Sequence, residues 1–182
     1  MTIKTATAHI DLNALVDNYR YIKSKAPKSK ILAVLKANAY GHGLERIAKA
    51  LMADDVGVDA FGVARIDEAL ALRAAGVVRP IVLLEGFFDD KDLALLAANN
   101  LQTIIHNQQQ LAAICHPDLC LERPLKVWLK IDTGMHRLGI NPQEFSFFYR
   151  RLKACANVQD DMVLMSHLGC ADDMANPVTE QQ

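Results

Sequence analysis

The chain has 182 residues, of which 51% are hydrophobic and 23% are charged, and its formal net charge is −1 at pH 7. It is long enough for one globular domain with its own core. The net charge near zero gives no basic surface for nucleic-acid binding, and the apolar runs are too short to cross a membrane. We therefore expect neither nucleic-acid binding nor a membrane-spanning segment.

The N-terminus and the cysteines indicate a cytoplasmic protein. No apolar signal core follows the lysine in residues 1–5. The cysteines are Cys115, Cys120, Cys155 and Cys170, and no two of them form a CxxC pair. We therefore predict free thiols in a reducing compartment, without a metal site or a disulfide framework.

The first predicted helix precedes the first strand. Asp11 is a favourable N-cap, apolar residues follow it at helical spacing, and Pro27 marks the end. We expect this helix to pack against or beneath the sheet. Residues 31–35 form a short apolar run that fits a strand buried on both faces. Lys36 follows directly, at the strand end where α/β proteins place their chemistry.

After Lys36 the chain alternates between helices and strands. Gly41 and Gly43 mark a turn before the first of these helices. The further strands are predicted at 60–64, 81–84, 103–105, 126–131 and 162–165. Two helices are predicted at 44–51 and at about 66–75, the second with Gly76 as its C′ residue. Two more are predicted to begin after N-caps at Asp89 or Asp90 and at Asn107. The last is predicted from Asn141-Pro142 onward, and its apolar face is formed by Phe145, Phe148, Tyr149 and Leu152. Residues 176–182 resemble the start of one more helix.

Six such alternations predict a parallel sheet with helices outside it and with the ligand site at the βα loops. No glycine-rich dinucleotide fingerprint follows the first strand, which argues against a nicotinamide-binding Rossmann domain. Length alone leaves open a six-stranded open sheet or part of a barrel. A full (β/α)₈ barrel takes roughly 250 residues, so we expect this chain to be the front part of a longer protein.

Lys36 and two later residues are candidates for chemistry. A lysine amine in an apolar setting loses its proton more easily and can form a Schiff base with pyridoxal phosphate (PLP). The alternative is a lysine that reaches solvent from a strand end. Arg137 would lie near the same rim and could bind a phenolate or a carboxylate, or pair with a surface acid. Lys130 lies in an otherwise apolar strand, so it needs an anionic partner or a modification that removes its charge.

The run at 36–43, Lys-Ala-Asn-Ala-Tyr-Gly-His-Gly, resembles the PLP-lysine signature of alanine racemases. The run at 130–139, Lys-Ile-Asp-Thr-Gly-Met-His-Arg-Leu-Gly, is similar to a second signature of that family, and Ser-His-Leu-Gly at 166–169 is a third stretch. The resemblance extends over nearly the whole chain. It implies an α/β fold of the (β/α)₈ TIM-barrel type, cut after about six strands. Residues 1–182 would be the N-terminal PLP-binding barrel domain, without the C-terminal β domain.

The resemblance also implies roles for five residues. Lys36 would bond PLP and act as a catalytic base, and Tyr40 would donate its hydroxyl to the PLP phosphate. Arg137 would contact the PLP phenolic oxygen and the substrate carboxylate. His167 would pack on the PLP ring, although a lone histidine at a strand end is more often a hydrogen-bonded core residue. Lys130 would be carbamylated and would hold Arg137.

The resemblance implies a cytoplasmic PLP-dependent isomerase with alanine racemase activity. It would interconvert L-alanine and D-alanine and supply D-alanine for peptidoglycan. Racemisation needs a second acid–base group on the opposite face, which in that family is a tyrosine of the partner subunit in a homodimer. No tyrosine of this chain sits in a matching motif. We therefore expect the chain by itself to be inactive, and its open sheet edges to favour self-association. A PLP-binding module without turnover, a structural fragment without cofactor, and a broader racemase acting on serine remain as alternatives.

Overall fold

Six parallel strands form one curled sheet in the order of the sequence. The structure, a computed structural model, describes residues 6–182. The prediction that residues 1–5 lead into no signal core lies outside the described residues. The strands are β1 (Leu32–Val34), β2 (Ala60–Val63), β3 (Ile81–Leu83), β4 (Gln102–Ile105), β5 (Val127–Lys130) and β6 (Val163–Met165). Each strand pairs in parallel with the next, which leaves β1 and β6 at the edges of this sheet. The predicted parallel α/β half-barrel is confirmed.

Helices connect the strands, as the alternation predicts. They are α1 (Leu12–Lys25), α2 (Lys36–Tyr40), α3 (Leu44–Met52), α4 (Ile66–Ala74), α5 (Asp92–Ala98), α6 (Gln108–Ile114), α7 (Phe145–Lys153) and α8 (Val178–Gln181). A 3₁₀ turn at Pro142–Glu144 precedes α7. Within the described part of the chain, no helix is long and apolar enough to cross a membrane.

The core lies between the sheet and these helices. The predicted apolar face of α3, formed by Leu44, Ile47, Ala48 and Leu51, is buried. Phe61 of β2 and Phe148 of α7 are among the largest fully buried side chains. One continuous apolar cluster therefore holds the strands in register and fixes where their carboxyl ends point.

Three of the predicted caps are confirmed. The Asp11 carboxylate accepts hydrogen bonds from the backbone N–H groups of Asn13 and Ala14, at 2.9 and 3.1 Å. The Asn107 side chain accepts from the Gln110 N–H at 2.8 Å, and the Asn141 side chain accepts from the N–H of Gln143 at 2.9 Å. Each of these side chains satisfies a backbone donor that the first helical turn leaves free.

The predicted cap of α5 is wrong. The helix begins at Asp92, and the residue at the N-cap position is Lys91, whose side chain makes no capping bond. The Asp89 carboxylate instead accepts from the Lys91 N–H at 2.9 Å, inside a separate turn before the helix. Asp90 lines the cavity described below. Four charged residues in a row gave several equivalent capping candidates, and an extra turn shifted the helix start.

Burial differs from expectation at three places. Strand β1 is not buried on both faces, because Val34 is 38% exposed where it lines the open cavity described below. In α1 only Tyr19 is buried, and Ile22 is 54% exposed, since the helix packs on α3 along a narrow stripe. On α7, Tyr149 is exposed and stacks on Phe145 with ring centroids 5.4 Å apart.

Candidate functional site

A cavity of about 690 Å³ opens at the carboxyl ends of the strands. Its volume lies in the range of small-molecule binding sites. The structure brings all five predicted site residues to its wall: Lys36, Tyr40, Lys130, Arg137 and His167. Residues that are up to 131 positions apart in sequence (36 to 167) therefore share one site, because parallel strands present their carboxyl ends at the same rim.

Lys36 begins a turn with an unusual backbone. The four following residues, Ala37, Asn38, Ala39 and Tyr40, have φ angles of 52°, 55°, 53° and 54°, so α2 is a left-handed turn. L-residues avoid this region at about 1–2 kcal/mol each because Cβ approaches the next carbonyl oxygen. Gly41 and Gly43 predict a turn only from position 41 onward, so the left-handed geometry of residues 37–40 was not expected from the sequence.

Local hydrogen bonds hold the left-handed turn. The Ala39 N–H donates to the Leu35 carbonyl at 2.8 Å, and the Gly43 N–H donates to the Asn38 carbonyl at 3.0 Å. The Asn38 side-chain oxygen accepts from the Leu44 N–H at 2.8 Å, which joins the turn to the first residue of α3. Tyr40 ends the turn with its side chain on the cavity rim.

Lys130 is a buried cation in a cavity wall. It is 5% exposed, and no carboxylate among residues 6–182 lies within ion-pair distance of its ammonium group. Burial lowers the pKa of Lys130, and the nearby charges of Arg137 and Lys36 lower it further, whereas Asp132 and Glu85 partly offset this. Three cationic side chains therefore converge on the cavity, which suits an anionic ligand.

Arg137 is presented by a loop that returns to the end of β5. The Asp132 N–H donates to the Ile140 carbonyl and the Ile140 N–H donates to the Lys130 carbonyl, both at 2.9 Å. Gly139 closes the loop with a φ of +140°, and a Cβ built there would lie 2.4 Å from the Asp132 nitrogen. The loop therefore holds Arg137 between two fixed backbone points.

The Asp132 carboxylate organises the interior of this loop. One of its oxygens accepts hydrogen bonds from the backbone N–H groups of Gly134 and His136, both at 3.0 Å, and the other lies 3.1 Å from His136 Nδ1. The N–H groups of His136 and Gly134 lower the pKa of Asp132 because they favour the charged carboxylate.

We expect Asp132→Asn to destabilise the protein in a pH-dependent way. A carboxyl whose pKa is lowered by folding contributes stability above its ordinary pKa of about 4, and this contribution is lost as the pH falls through the lower folded value. The urea midpoint of the variant should therefore lie below that of the wild-type protein at pH 7, and the gap should shrink below pH 4. Asp118→Asn, at an exposed carboxylate outside the cavity, is the control. A gap that stays constant from pH 7 to pH 3 would contradict the prediction.

His167 lies two residues beyond β6 and faces the cavity. Burial lowers its pKa, and the charges of Lys130, Arg137 and Lys36 lower it further. The lowered pKa favours the neutral imidazole at pH 7. A neutral imidazole can pack on the ring of a ligand without adding charge. The structure gives no hydrogen-bond partner for this imidazole among the described residues, so the expectation of a hydrogen-bonded core histidine is not met.

Sequence reasoning missed the wall formed by the loops after β3 and β4. Gln110 is buried, and its side-chain NH₂ donates to the carbonyls of Glu85 and Phe87 at 3.1 and 3.2 Å. Its side-chain oxygen accepts from the His106 N–H at 3.0 Å. The amide thus ties two βα loops together. Three consecutive glutamines at 108–110 carry no signal that one of them is buried.

Comparisons with known proteins point to one family. The profile of the family described as alanine racemase, N-terminal domain, matches residues 10–182. An alanine racemase from Aliivibrio salmonicida is 55% identical over 177 residues, covering 97% of this chain and 48% of that protein. One from Vibrio vulnificus is 54% identical over 180 residues, covering 99% of this chain and 49% of that protein.

Solved structures give the same picture. A biosynthetic alanine racemase from Pseudomonas aeruginosa superposes with a TM-score of 0.86 at 41% identity, covering 94% of this chain and 46% of that one. A histidine racemase from Leuconostoc mesenteroides has a TM-score of 0.79 at 29% identity, covering 93% of this chain and 45% of that one. The chain thus spans about half the length of the relatives it matches.

Proposed function

Because this chain belongs to the alanine racemase N-terminal domain family, we propose that the whole protein is a PLP-dependent racemase that interconverts L-alanine and D-alanine. The observation that carries the proposal is the convergence of Lys36, Arg137 and His167 on one cavity in the order of the family signatures. Residues 1–182 would form its PLP-binding barrel domain. The D-alanine would supply peptidoglycan synthesis.

The residues of the cavity fit PLP. Lys36 offers an amine at a strand end, and the cation Arg137 suits the phenolate group of the cofactor. The Tyr40 hydroxyl can donate to the phosphate from the rim. When bound, PLP supplies an electron sink for the negative charge that develops on the substrate α-carbon.

Each residue then has one task. The Lys36 amine would hold the cofactor and, as a free amine, would take the α-proton on one face of the substrate. The Arg137 guanidinium binds the substrate carboxylate and orients the α-carbon. The His167 imidazole, whose lowered pKa favours the neutral ring, would pack on the cofactor ring without adding charge.

The second face of the substrate needs a proton donor from elsewhere. Among the described tyrosines only Tyr40 lines the cavity, while the Tyr19 hydroxyl donates to the Gly57 carbonyl at 3.4 Å, outside it. We therefore propose that the second group comes from the partner subunit of a homodimer. The four cysteines are free thiols, which supports a location in the reducing cytoplasm.

We expect Lys130 to be carbamylated in the folded protein. Carbamylation replaces a buried ammonium, which has no carboxylate partner among the described residues, by an anion that can hold Arg137. Peptide mapping at pH 8 in bicarbonate should show an added mass of one CO₂ (about 44 Da) on Lys130 but none on Lys126, a neighbouring lysine paired with Asp161. Only unmodified Lys130 under these conditions would refute the modification.

A broader amino-acid racemase is the second candidate. The fold likeness to a histidine racemase favours it, because that protein acts on a larger side chain with a barrel of the same shape. Rates of α-proton exchange with L-alanine, L-serine and L-histidine separate the two candidates. A preference for alanine of less than about tenfold would favour the broader enzyme.

The proposed function is tested by trapping the cofactor. The full-length protein is incubated with PLP, reduced with borohydride and mapped by mass spectrometry, and a pyridoxyl label on Lys36 is expected. The holoprotein should also exchange the α-proton of alanine in D₂O and form the other enantiomer. A label without exchange would identify a PLP-binding module without turnover. Failure to label Lys36 would reject the cofactor site and would favour the alternative of a structural fragment without cofactor.

A further inference from the structure

Glu68 connects the turn that carries Lys36 to the second βα loop. It lies in the first turn of α4, and one of its carboxylate oxygens accepts from the backbone N–H groups of Ala64 and Arg65, both at 3.1 Å. The other oxygen accepts from the Asn38 N–H at 3.4 Å. One carboxylate therefore holds backbone donors of two different loops.

The contact falls on the most strained part of the site. Asn38 lies two residues after Lys36, inside the run of four non-glycine residues with positive φ. A strained backbone of this kind persists only where neighbouring groups over-determine it. The Leu35 N–H donates to the Gly62 carbonyl of β2 at 2.7 Å, which anchors the start of the turn to the sheet. The other described hydrogen bonds of residues 36–42, apart from the one to Glu68, join residues within 35–44, so they fix the internal shape of the turn but not the position of Asn38 relative to the sheet.

Glu68 supplies the external connection inside the turn, at Asn38, beyond the anchor at Leu35. Backbone N–H bonds to a charged acceptor are stronger than those to a neutral one. A glutamine at this position has one acceptor oxygen and one NH₂ group, so it cannot accept on both sides at once. The local bonds of the turn would survive the substitution, but the bond to Asn38 would be lost or would compete with the bonds to Ala64 and Arg65.

We propose that Glu68 is the positioning residue for Lys36: its carboxylate sets the place and orientation of the left-handed turn and hence of the reactive amine. This inference rests on the proposed function, since it concerns the residue that bonds the cofactor. Glu68 itself does not line the cavity, so it acts through the backbone of the turn and not on the cofactor.

The test compares two capping glutamates in the full-length protein. Glu144 caps the turn before α7 in the same way, through its carboxylate and the Asn141 N–H at 3.2 Å, and it is remote from Lys36 in the sequence and outside the cavity. Glu68→Gln and Glu144→Gln therefore both lose a charged capping acceptor. Only the first loses the bond to the Lys36 turn.

The readout is the rate at which the apoprotein reacts with PLP, measured as pyridoxyl-Lys36 after borohydride quenching at set times. We expect the rate constant to fall about tenfold in Glu68→Gln, as loss of one charged hydrogen bond implies, and to stay unchanged in Glu144→Gln. Hydrogen exchange at the Asn38 amide should accelerate in the first variant alone. Equal labelling rates in the two variants, or an unchanged Asn38 amide, would overturn the inference.

Two further results keep the inference separate from the proposed function. If the wild-type protein gives no label on Lys36, the proposed function fails. If it labels normally and Glu68→Gln labels equally fast, only the positioning role fails. If Glu68→Gln does not fold, hydrogen exchange at the Asn38 amide is measured in the wild-type protein. Exchange as fast as that of an unprotected exposed amide would exclude the positioning role of Glu68, and slower exchange would support it.

Discussion

Lys36→Ala in the full-length protein is expected to lower racemase turnover by about 10⁴-fold and to abolish the pyridoxyl label. The substitution removes both the amine that bonds the cofactor and the base that takes the α-proton, and general-base removal alone accounts for roughly 10²–10⁴-fold. Turnover is measured as formation of D-alanine from L-alanine, and labelling as reduced pyridoxyl peptide. Added methylamine should restore part of the activity, because a free amine can replace the missing base.

The control for this variant is Lys49→Ala. Lys49 is an exposed lysine of α3 that pairs with Glu45 at 3.8 Å and lies outside the cavity. Its loss should leave both turnover and labelling unchanged. A Lys36→Ala protein that kept a tenth of the wild-type rate would instead assign the covalent role to another lysine, and Lys130, in the same cavity wall, would be the first to examine.

Gly139→Ala is expected to destabilise the protein by about 3 kcal/mol or more and to displace Arg137. The added Cβ would lie 2.4 Å from the Asp132 nitrogen and 2.8 Å from the Ile131 carbonyl carbon. These are backbone atoms, which cannot rotate away as a flexible side chain can. The positive φ of +140° adds strain of its own. Urea unfolding measures the stability, and the KM for alanine reports on the position of Arg137.

A second glycine separates the clash from the backbone strain. Gly57 also has a positive φ, of +67°, but a Cβ built there meets no atom within 4 Å. Gly57→Ala should therefore show only the cost of the left-handed conformation, about 1 kcal/mol, with an unchanged KM. Equal destabilisation by the two alanine substitutions would show that the loop after β5 can relax around the new methyl group.

The sequence was sufficient for the arrangement of strands and for five of the side chains around the cavity, but not for the wall that contains Gln110. Short apolar runs separated by capping residues such as Asn107 and Asn141 left little choice in the order of elements. Parallel pairing then placed the residues that follow β1, β5 and β6 at one rim. For this reason Lys36, Arg137 and His167 could be grouped before any coordinates were known.

What the sequence did not reveal depends on long-range contacts. Alanine at 37 and 39 avoids a left-handed backbone, and the tolerance of Asn38 alone for positive φ does not predict four such residues in a row. The turn therefore becomes visible only once Glu68 and Leu44 are in place around it. Val34 is exposed because it faces the open cavity, not because of its own residue type. Gln110 is buried because the carbonyls of Glu85 and Phe87 face it.

Substitutions that relieve the strain of the left-handed turn should raise thermostability and lower turnover. Glycine adopts a positive φ without the Cβ penalty, so glycine at position 37 or 39 would relieve strain in the folded state. The same change would widen the range of backbone shapes next to Lys36. A library selected for heat resistance alone should therefore accumulate glycine there, and a library selected for turnover should exclude it.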